Sequence, residues 1–224
     1  MLRLICILAF TRCVSSEVPS DQQRVGIIDA YTSMRQGVGP TASNMEYMKY
    51  SKTMEQLAER WVNQCAEEMP NPSVDKEYSN VSIKTVVTVG DAISFVSKVS
   101  SFLNGIVFYN YKENSCYGNC SDYTQAIWAT SSQVGCANNR CDSLQPGTTE
   151  PIYLMACLYT PAGNIPNMRP YEAGEVCSKC PEKYRFCLHK QCSETSVSSI
   201  VLPFGTLIST VLSFHTLALI SFLL

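Results

Sequence analysis

Hydrophobic residues recur at helical spacing most clearly between residues 51 and 65. The apolar stripe consists of Met54, Leu57, Ala58, Trp61, Val62 and Cys65. Lys, Glu, Gln and Arg occupy the other positions, so the pattern predicts an amphipathic helix that packs its stripe into a core. Such a stripe forms core far more often than it forms a ligand site, and we interpret Trp61 as a packing residue.

An earlier helix is predicted from capping residues and apolar spacing. Ser20 and Gln23 form a capping-box pair that favours a helix start, and the helix is expected to end near Gly37. The residues expected on its inward side are Val25, Ile28 and Thr32.

Two further helices are predicted in the middle of the chain. Asp91 is expected to cap the third helix, and Ser121 a short fourth helix that holds residues 123–128. The inward positions expected of the third helix are Ile93, Val96, Val99, Leu103 and Ile106.

Three strands are predicted, at residues 86–89, 133–137 and 152–160. In the last strand, the side chains that point to one face and those that point to the other are both apolar, which indicates a strand covered on both faces. Residues 66–83 contain Pro70 and Pro72 and are predicted to be irregular. Helices on both faces of a small antiparallel sheet form a three-layer α-β-α sandwich, so the predicted fold class is α+β.

Composition indicates one globular core with a small appendage. The chain has 224 residues, 46% of them hydrophobic, and a formal net charge of -2. No run of Lys or Arg provides the positive surface that nucleic acids require, so no nucleic-acid partner is expected.

The cysteine count points to an oxidising compartment. The chain has 12 cysteines, two of which lie in a predicted signal peptide at 1–16. That peptide combines Arg3, a short apolar run at 4–10 and small residues at 14–16. Ten cysteines then remain, an even number that favours disulfides.

Residues from 174 onward differ in composition from the rest. Four cysteines in a short polar stretch leave too few apolar residues for a core, so cross-links are needed to order it. A zinc knuckle is the competing interpretation of these cysteines, and secretion favours disulfides.

Three stretches carry a resemblance to a known family. YTQAIW at 123–128 resembles the G-H-[FY]-T-Q-[VI]-[VI]-W motif of the CAP superfamily, which comprises cysteine-rich secretory proteins, antigen 5 and pathogenesis-related type 1 proteins. LMACLYTPAGNIPNMRPY at 154–171 resembles its second signature, Y-x-C-x-Y-x-P-x-G-N. GPTASNMEYM at 39–48, followed by LAERWVNQC at 57–65, is similar to an upstream segment and second helix of the family. The resemblance implies the same sandwich, and its detailed match is to venom-allergen-like and membrane-anchored branches.

The resemblance also implies a domain organisation. A CAP domain at 17–173 would be followed by a cysteine-rich hinge at 174–192, in which Cys177 pairs with Cys187 and Cys180 with Cys192. Three more bridges of open connectivity are expected among Cys65, Cys116, Cys120, Cys136, Cys141 and Cys157.

Many CAP proteins have a cleft in which two His and two Glu can bind a divalent metal. The matching positions here hold Met69, Ser79, Gly105 and Asp122. A one-gap change in alignment would bring Glu77 to the position of Ser79. The resemblance therefore implies a degenerate cleft with no metal, and no cofactor is expected.

The histidine count restricts catalysis further. The chain has only His189 and His215, neither of them in the CAP domain, so Ser-His or Cys-His catalysis cannot be built there. Acid/base work by carboxylates alone is conceivable, since several surround the expected cleft: Glu67, Glu68, Asp75, Glu77 and Asp122. A solvated acidic loop and a helix-capping Asp explain them more simply, and no EF-hand-like loop supports a Ca²⁺ site.

Aromatic residues are dense between 102 and 123, namely Phe102, Phe108, Tyr109, Tyr111, Tyr117 and Tyr123. Some CAP proteins hold sterols or fatty acids between their helices, so the resemblance makes lipid binding a live interpretation. Helix packing explains the same residues more simply.

Two sequons are present, at Asn80 and, in a poorer context, at Asn119. Asn80 also matches a family asparagine expected to bond internally, and we favour that structural role slightly over glycosylation.

The C-terminus predicts a membrane anchor. Residues 200–224 are apolar apart from Ser, Thr and His215, and nothing charged follows them to orient a transmembrane helix. A GPI signal fits better: attachment at Ser193, or alternatively Ser196 or Ser198, a spacer to about residue 206, and a hydrophobic tail at 207–224.

Together these patterns predict a non-enzymatic, extracellular CAP protein that is presented at the plasma membrane and binds an unidentified protein or lipid. The alternatives are a secreted sterol or fatty-acid carrier and, less favoured, a hydrolase.

Overall fold

The structure, a computed structural model, describes residues 16–66 and 68–196. Four α-helices lie in these ranges: α1 Asp21–Gln36, α2 Lys52–Val62, α3 Phe95–Ser101 and α4 Ser121–Ala126. The strands of the same ranges are β1 Lys49–Tyr50, β2 Ser82–Val89, β3 Tyr109–Asn110, β4 Ser115–Cys116, β5 Gln133–Arg140, β6 Ile152–Thr160, β7 Phe186–Leu188 and β8 Gln191–Ser193. Short 3₁₀ helices span Lys76–Tyr78, Phe102–Phe108 and Asp142–Leu144.

The main sheet has the strand order β1-β5-β6-β2. β6 is antiparallel to both β5 and β2, whereas the short β1 runs parallel to β5. Cys136 and Cys157 lie directly opposite each other in β5 and β6 and form a disulfide. Two-stranded ribbons, β3-β4 and β7-β8, lie outside this sheet.

Helices cover both faces of the sheet, which confirms the three-layer α-β-α sandwich. One core packs α1, α3 and α4 against the sheet, with Tyr31, Phe95, Val99, Ile127 and Tyr159 fully or almost fully buried. The other packs α2, with Leu57, Ala58, Trp61 and Val62, against Ala156 and Leu158. α2 lies so close to β5 that a Cβ on Gly135 would come within 2.1 Å of the backbone nitrogen of Glu55, so this position tolerates only glycine. As predicted, β6 is buried on both faces.

The predicted capping box and second helix are confirmed. Ser20 Oγ accepts from the backbone of Gln23, whose side chain accepts from the backbone of Ser20. In α2, the predicted stripe is buried from Met54 to Val62, while Cys65 lies beyond the helix end. Trp61 is 1% exposed, as expected of a packing residue.

The predicted inward side of α1 is wrong at Val25, which is 61% exposed. The Tyr31 hydroxyl hydrogen-bonds the Tyr159 hydroxyl of β6 at 2.6 Å, and this bond helps to set the rotation of the helix. The buried stripe therefore runs through Ile27, Tyr31 and Met34, which turns Val25 outward.

The third helix is shorter than predicted and begins later. Asp91 does not cap it, because the helix starts at Phe95 with Ser94 at the N-cap position. After Ser101 the chain tightens into a 3₁₀ helix, in which successive residues rotate by about 120° and not by about 100°. Leu103 and Ile106, predicted inward, are consequently 44% and 43% exposed.

Other element boundaries also differ from the expectations. Ser121 is the first residue of α4 and not its cap, because Cys120 holds the N-cap position. β2 begins at Ser82, within the stretch predicted to be irregular, and β5 continues to Arg140. Pairing with β6 accounts for both extensions, since β6 offers a full-length partner on each side.

Arg35 of α1 is a buried cation, and no carboxylate within residues 16–66 and 68–196 lies at ion-pair distance from it. The residue is 1% exposed. Its guanidinium donates hydrogen bonds of 2.6–3.2 Å to the carbonyl oxygens of Glu46, Ala126, Trp128 and Ala129. Burial lowers its pKa to about 10. The residue thereby joins α1 to the end of α4 and to the segment before β1.

The cysteine-rich segment is cross-linked and joined to the main sheet region. Its disulfides are Cys177–Cys187 and Cys180–Cys192, the pairing that the resemblance implies. The backbone of Cys192 donates to Met45 and accepts from Tyr47, which adds β8 alongside residues 45–47. Cys177, Cys180 and Cys192 place their sulfur atoms within 4.8 Å of one another, but all three are in disulfides, so no thiolate is left for the zinc-knuckle alternative. The other bridges are Cys65–Cys141 and Cys116–Cys120.

Several sequence expectations fall outside the described residues. These are the signal peptide except for Ser16, Glu67, Ser198, His215 and the hydrophobic tail at 207–224. In the ranges that are described, none of the helices has the length and apolar character needed to cross a membrane.

Candidate functional site

Asp122 of α4, one of the four positions at which the resemblance implies a degenerate cleft, forms an ion pair with Lys84 of β2. The Lys84 Nζ lies 3.6 Å from Asp122 Oδ1, and the two side chains are 17% and 38% exposed. Ile83 packs into the core on the α2 side of the sheet, so the alternation of the strand directs Lys84 to the opposite face, where α4 lies. Burial lowers the pKa of Lys84 below its usual value, and the nearby carboxylate of Asp122 partly counteracts this.

Gly105, at which the resemblance implies a lost ligand carboxylate, has no room for a side chain. A Cβ there would lie 2.6 Å from the Cβ of Tyr123 and 3.4 Å from the Cα of Cys120. Tyr123 is 3% exposed, and burial raises its pKa to about 12. α4 therefore packs directly against the 3₁₀ segment Phe102–Phe108, which closes this side of the cleft to a ligand carboxylate.

Met69 and Ser79 lie in a different surrounding. Met69 is 50% exposed and lines a surface cavity of about 450 Å³ together with Glu68, Asp75 and Glu77. Glu77 forms an ion pair with Arg60 at 2.7 Å. Ser79, just after this cavity, is exposed. The predicted carboxylates thus divide between this acidic loop and Asp122, which does not line that cavity.

A pair of buried tyrosine hydroxyl groups lies near Asp122. Tyr31 and Tyr159 are fully buried and share a hydrogen bond of 2.6 Å, with their rings arranged edge to face. Burial, the main cause in both residues, raises the pKa of each above its usual value, and Asp122 adds to the effect. At neutral pH both hydroxyl groups are therefore protonated and serve the core.

The histidines are remote from this cleft in sequence. His189 lies between β7 and β8 with a φ of 49°, in the turn of the hinge ribbon. The sequence has no His between residues 16 and 188. The side chains that act on Asp122 or are acted on by it include the amine of Lys84 and the protonated phenols of Tyr31 and Tyr159.

A second feature, which we call the loop cavity, was not anticipated from the sequence. It has a volume of about 550 Å³. Its lining includes Tyr111, Trp128, Ile165, Met168, Arg169 and Tyr171. Ile165 and Met168 are 44% and 55% exposed and line the same cavity, so they bring two exposed apolar side chains together at one place on the surface. The signal available in the sequence was this pair of apolar residues in a loop bounded by Pro161 and Pro170.

Aromatic stacking supports one wall of the loop cavity. The rings of Tyr111 and Tyr171 stack with centroids 4.7 Å apart, and the Tyr111 hydroxyl donates to the carbonyl of Tyr171. The Arg169 guanidinium lies 5.6 Å from the Tyr111 ring and donates to the carbonyls of Tyr111 and Lys112. The wall is therefore held in place by contacts among its own residues.

The other aromatics singled out in the sequence have divided roles. Phe102 and Tyr123 are buried core residues, and Tyr109 packs against Tyr123 with centroids 6.4 Å apart. Phe108 and Tyr117 are 42% and 76% exposed. Core packing thus accounts for Phe102, Tyr109 and Tyr123, while Tyr111 packs against the same core and also lines the loop cavity.

Asn80 makes the internal bond expected of it while remaining exposed. It adopts a φ of 57°, and its Oδ1 accepts from the backbone of Ala162 at 3.0 Å. The side chain is on the surface, so glycosylation at this position stays a prediction. Ser193, the first proposed attachment site, is 1% exposed in β8.

Comparison with known proteins gives consistent matches. Residues 28–159 match the family described as CAP, cysteine-rich secretory protein family. GLIPR1-like protein 1 from Homo sapiens is 34% identical over 197 residues, which cover 84% of this chain and 78% of that protein. Peptidase inhibitor 15-A from Danio rerio is 32% identical over 178 residues, covering 74% of this chain and 67% of that protein.

Two solved structures illustrate the shared fold. NaASP2, crystallised with Zn²⁺, matches with a TM-score of 0.56 and 21% identity over 79% of this chain and all of that chain. Schistosoma mansoni venom allergen-like protein 4 matches with a TM-score of 0.52 and 23% identity over 70% of this chain and 97% of that chain. The family match and the relatives at 34% and 32% identity lead to one conclusion: the chain belongs to the CAP, or cysteine-rich secretory protein, family.

Proposed function

We propose that this CAP protein acts without catalysis, outside the cell and attached to its surface, by binding another protein through the loop cavity. The cavity is the observation that carries the proposal. It combines aromatic and aliphatic walls with two charged groups at its rim, Arg169 and Glu172, and this composition is typical of a recognition site.

A protein partner fits the loop cavity better than a free lipid does. Ile165 and Met168 are substantially exposed, and the cavity is formed by surface loops and not by helices that enclose it. Exposed apolar side chains with a polar rim resemble the anchor regions of protein interfaces. Carriage of a sterol or fatty acid is the alternative function, favoured by the apolar walls.

A hydrolytic function has little support in the cleft. Ser-His and Cys-His mechanisms need a histidine that the CAP domain lacks. Asp122 is paired with Lys84, and Glu77 with Arg60. The names of the relatives, among them peptidase inhibitor 15-A, are in accord with a binding function.

We further propose that the chain consists of a signal peptide at 1–16, a CAP domain at 17–173, a hinge at 174–192, and a GPI spacer and tail from 193 onward. Among the candidate attachment residues, Ser196 and Ser198 are favoured over Ser193. Ser193 is buried and paired in β8, whereas Ser196 lies past the end of that strand, and this difference supports the choice.

Site-specific photocrosslinking on intact cells tests the proposed binding site. A photoreactive side chain would replace Met168, and the matched control would carry it at Val107, which is 76% exposed and outside the loop cavity. We expect a discrete protein adduct from position 168 and none from position 107. Adding an excess of the unmodified protein should reduce the yield of that adduct. Equal labelling from both positions would refute the loop cavity as the binding site. Bound sterol or fatty acid in a native mass spectrum would favour the lipid-carrier alternative.

A further inference from the structure

Three lysines surround a polar cavity where the hinge meets the main domain. The cavity, which we call the lysine cavity, has a volume of about 410 Å³. Its charged lining residues are Lys49, Lys52, Lys183 and Glu194. Lys49 belongs to β1, Lys52 begins α2 and Lys183 lies in the hinge, so three separate segments bring their ammonium groups together.

The carboxylate of Glu194 already lies among these lysines. It forms an ion pair with Lys49, in which the side chains are 43% and 45% exposed. Lys49 is the main cause that lowers the pKa of Glu194, and Lys183 contributes through space. Glu194 follows the last residue of β8, so its side chain can leave the cavity without unpairing a strand.

The remaining lysines keep an excess of positive charge. Lys52 lies 3.2 Å from Glu55, but Arg24 already binds both oxygens of that carboxylate at 2.7 and 3.0 Å. Lys183 lies over the ring of Tyr184 at 4.4 Å. The cavity also lies at the N-terminus of α2, where the helix dipole favours an anion. Glu46 acts on Lys183 through space, but it also acts on the buried Arg35. Because Glu55 and Glu46 are each shared with an arginine, the lining of the cavity itself sets one carboxylate, that of Glu194, against three lysines.

We propose that the lysine cavity binds a sulfate ester of an extracellular glycan, with Glu194 as the resident carboxylate that the sulfate displaces. Sulfate esters keep their charge at every physiological pH, and lysine binds such oxyanions as a compact point charge. Hydroxyl-bearing residues, Tyr47 and Ser132, line the same cavity and suit the hydroxyl groups of a saccharide. A phospholipid headgroup fits less well, since anionic lipids concentrate in the cytoplasmic leaflet. The proposal rests on the extracellular placement and is independent of the loop cavity.

Binding of a short heparin oligosaccharide to the mature protein, purified from cells in detergent, tests this site. We expect Lys49→Gln/Lys183→Gln to weaken binding about tenfold or more, which corresponds to about 1.4 kcal/mol. Glu194→Gln should strengthen binding, because it removes the competing carboxylate. The control is Lys112→Gln, at an exposed lysine outside the cavity, which should bind as the unaltered protein does.

The outcomes separate sulfate recognition from general charge effects. A chemically desulfated oligosaccharide of the same length should not bind. Equal affinities of the unaltered protein and the double variant, or unchanged affinity in Glu194→Gln, would overturn the proposal, as would binding to anionic phospholipid vesicles without binding to the oligosaccharide. Thermal unfolding of each variant checks that the fold is intact. Loss of crosslinking at Met168 with retained oligosaccharide binding would refute only the loop cavity.

Discussion

Lys84 and Asp122 form an ion pair with 3.6 Å between nitrogen and oxygen, and Asp122 stands where the family resemblance implies a metal-binding histidine. An ammonium group of the chain itself thus balances the carboxylate. Because Lys84 is mostly buried, removing its partner should cost stability. For Asp122→Asn we expect a loss of about 1–3 kcal/mol in the free energy of unfolding at neutral pH.

The pH dependence of that loss gives a sharper test. Without Asp122 only desolvation acts on Lys84, so its pKa in the folded state falls further below 10.5. The Lys84 amine is then harder to protonate in the folded variant than in the unfolded chain. This difference favours the unfolded chain wherever the amine is protonated in it, and the variant is therefore most destabilised at neutral pH. The deficit should shrink as the pH rises toward 10.5. Denaturation curves at several pH values measure this, with Glu172→Gln, from an exposed ion pair, as the control. An equal deficit in both variants would contradict the prediction.

Zinc binding should be weak or absent at the cleft. The positions of the family ligands hold Met69, Ser79, Gly105 and Asp122, and Zn²⁺ prefers nitrogen and sulfur donors. Calorimetric titration of the folded protein with Zn²⁺ should reveal no site with a Kd below about 1 μM, which corresponds to a binding free energy of about 8 kcal/mol. Tighter, saturable binding that disappears in Asp122→Ala would show that a metal site survives.

Arg35→Met should be strongly destabilising. The guanidinium bonds four carbonyl oxygens in the interior, and a methionine of similar length would leave them without these donors. We expect a loss of about 3–5 kcal/mol in urea denaturation. The control, Arg60→Met, removes an arginine whose side chain is 55% exposed and should cost at most about 1 kcal/mol. Similar losses for the two variants would refute this role of Arg35.

The sandwich was predictable because its signals are local. The apolar stripe of α2 and the two apolar sets of β6 each indicate their own burial, and Ser20 and Gln23 mark a helix start. The Lys84–Asp122 pair was not predictable, since it depends on which face of β2 meets α4. The loop cavity likewise depends on Tyr111 stacking against Tyr171, a contact between distant segments. The prediction that Leu103 and Ile106 point inward is wrong because α-helical spacing does not continue past α3, where the chain tightens into a 3₁₀ helix.

Disulfides should be essential for the order of the hinge. Residues 174–192 bury few apolar side chains, so the bridges Cys177–Cys187 and Cys180–Cys192 supply most of the restriction on the chain. Each disulfide typically contributes about 2–4 kcal/mol. Mild reduction should make the hinge susceptible to proteolysis before the CAP domain, as followed by mass spectrometry of the fragments. Ten free thiols in the folded, mature protein would rule out the disulfide framework.

The C-terminal anchor is the last prediction, and the fold makes it specific. Ser193 pairs with Phe186 in the β7-β8 ribbon, is 1% exposed, and donates its hydroxyl hydrogen bond to the carbonyl of Thr195. Attachment there would require this strand to open, whereas Ser196 lies past its end. Phosphatidylinositol-specific phospholipase C should therefore release the protein from intact cells, and the released C-terminal peptide should end at Ser196 or Ser198 with the glycan remnant attached. A peptide ending at Ser193 would show that burial does not protect that residue during processing. Retention on the cell after the enzyme, with a peptide ending at Leu224, would establish a membrane-spanning tail.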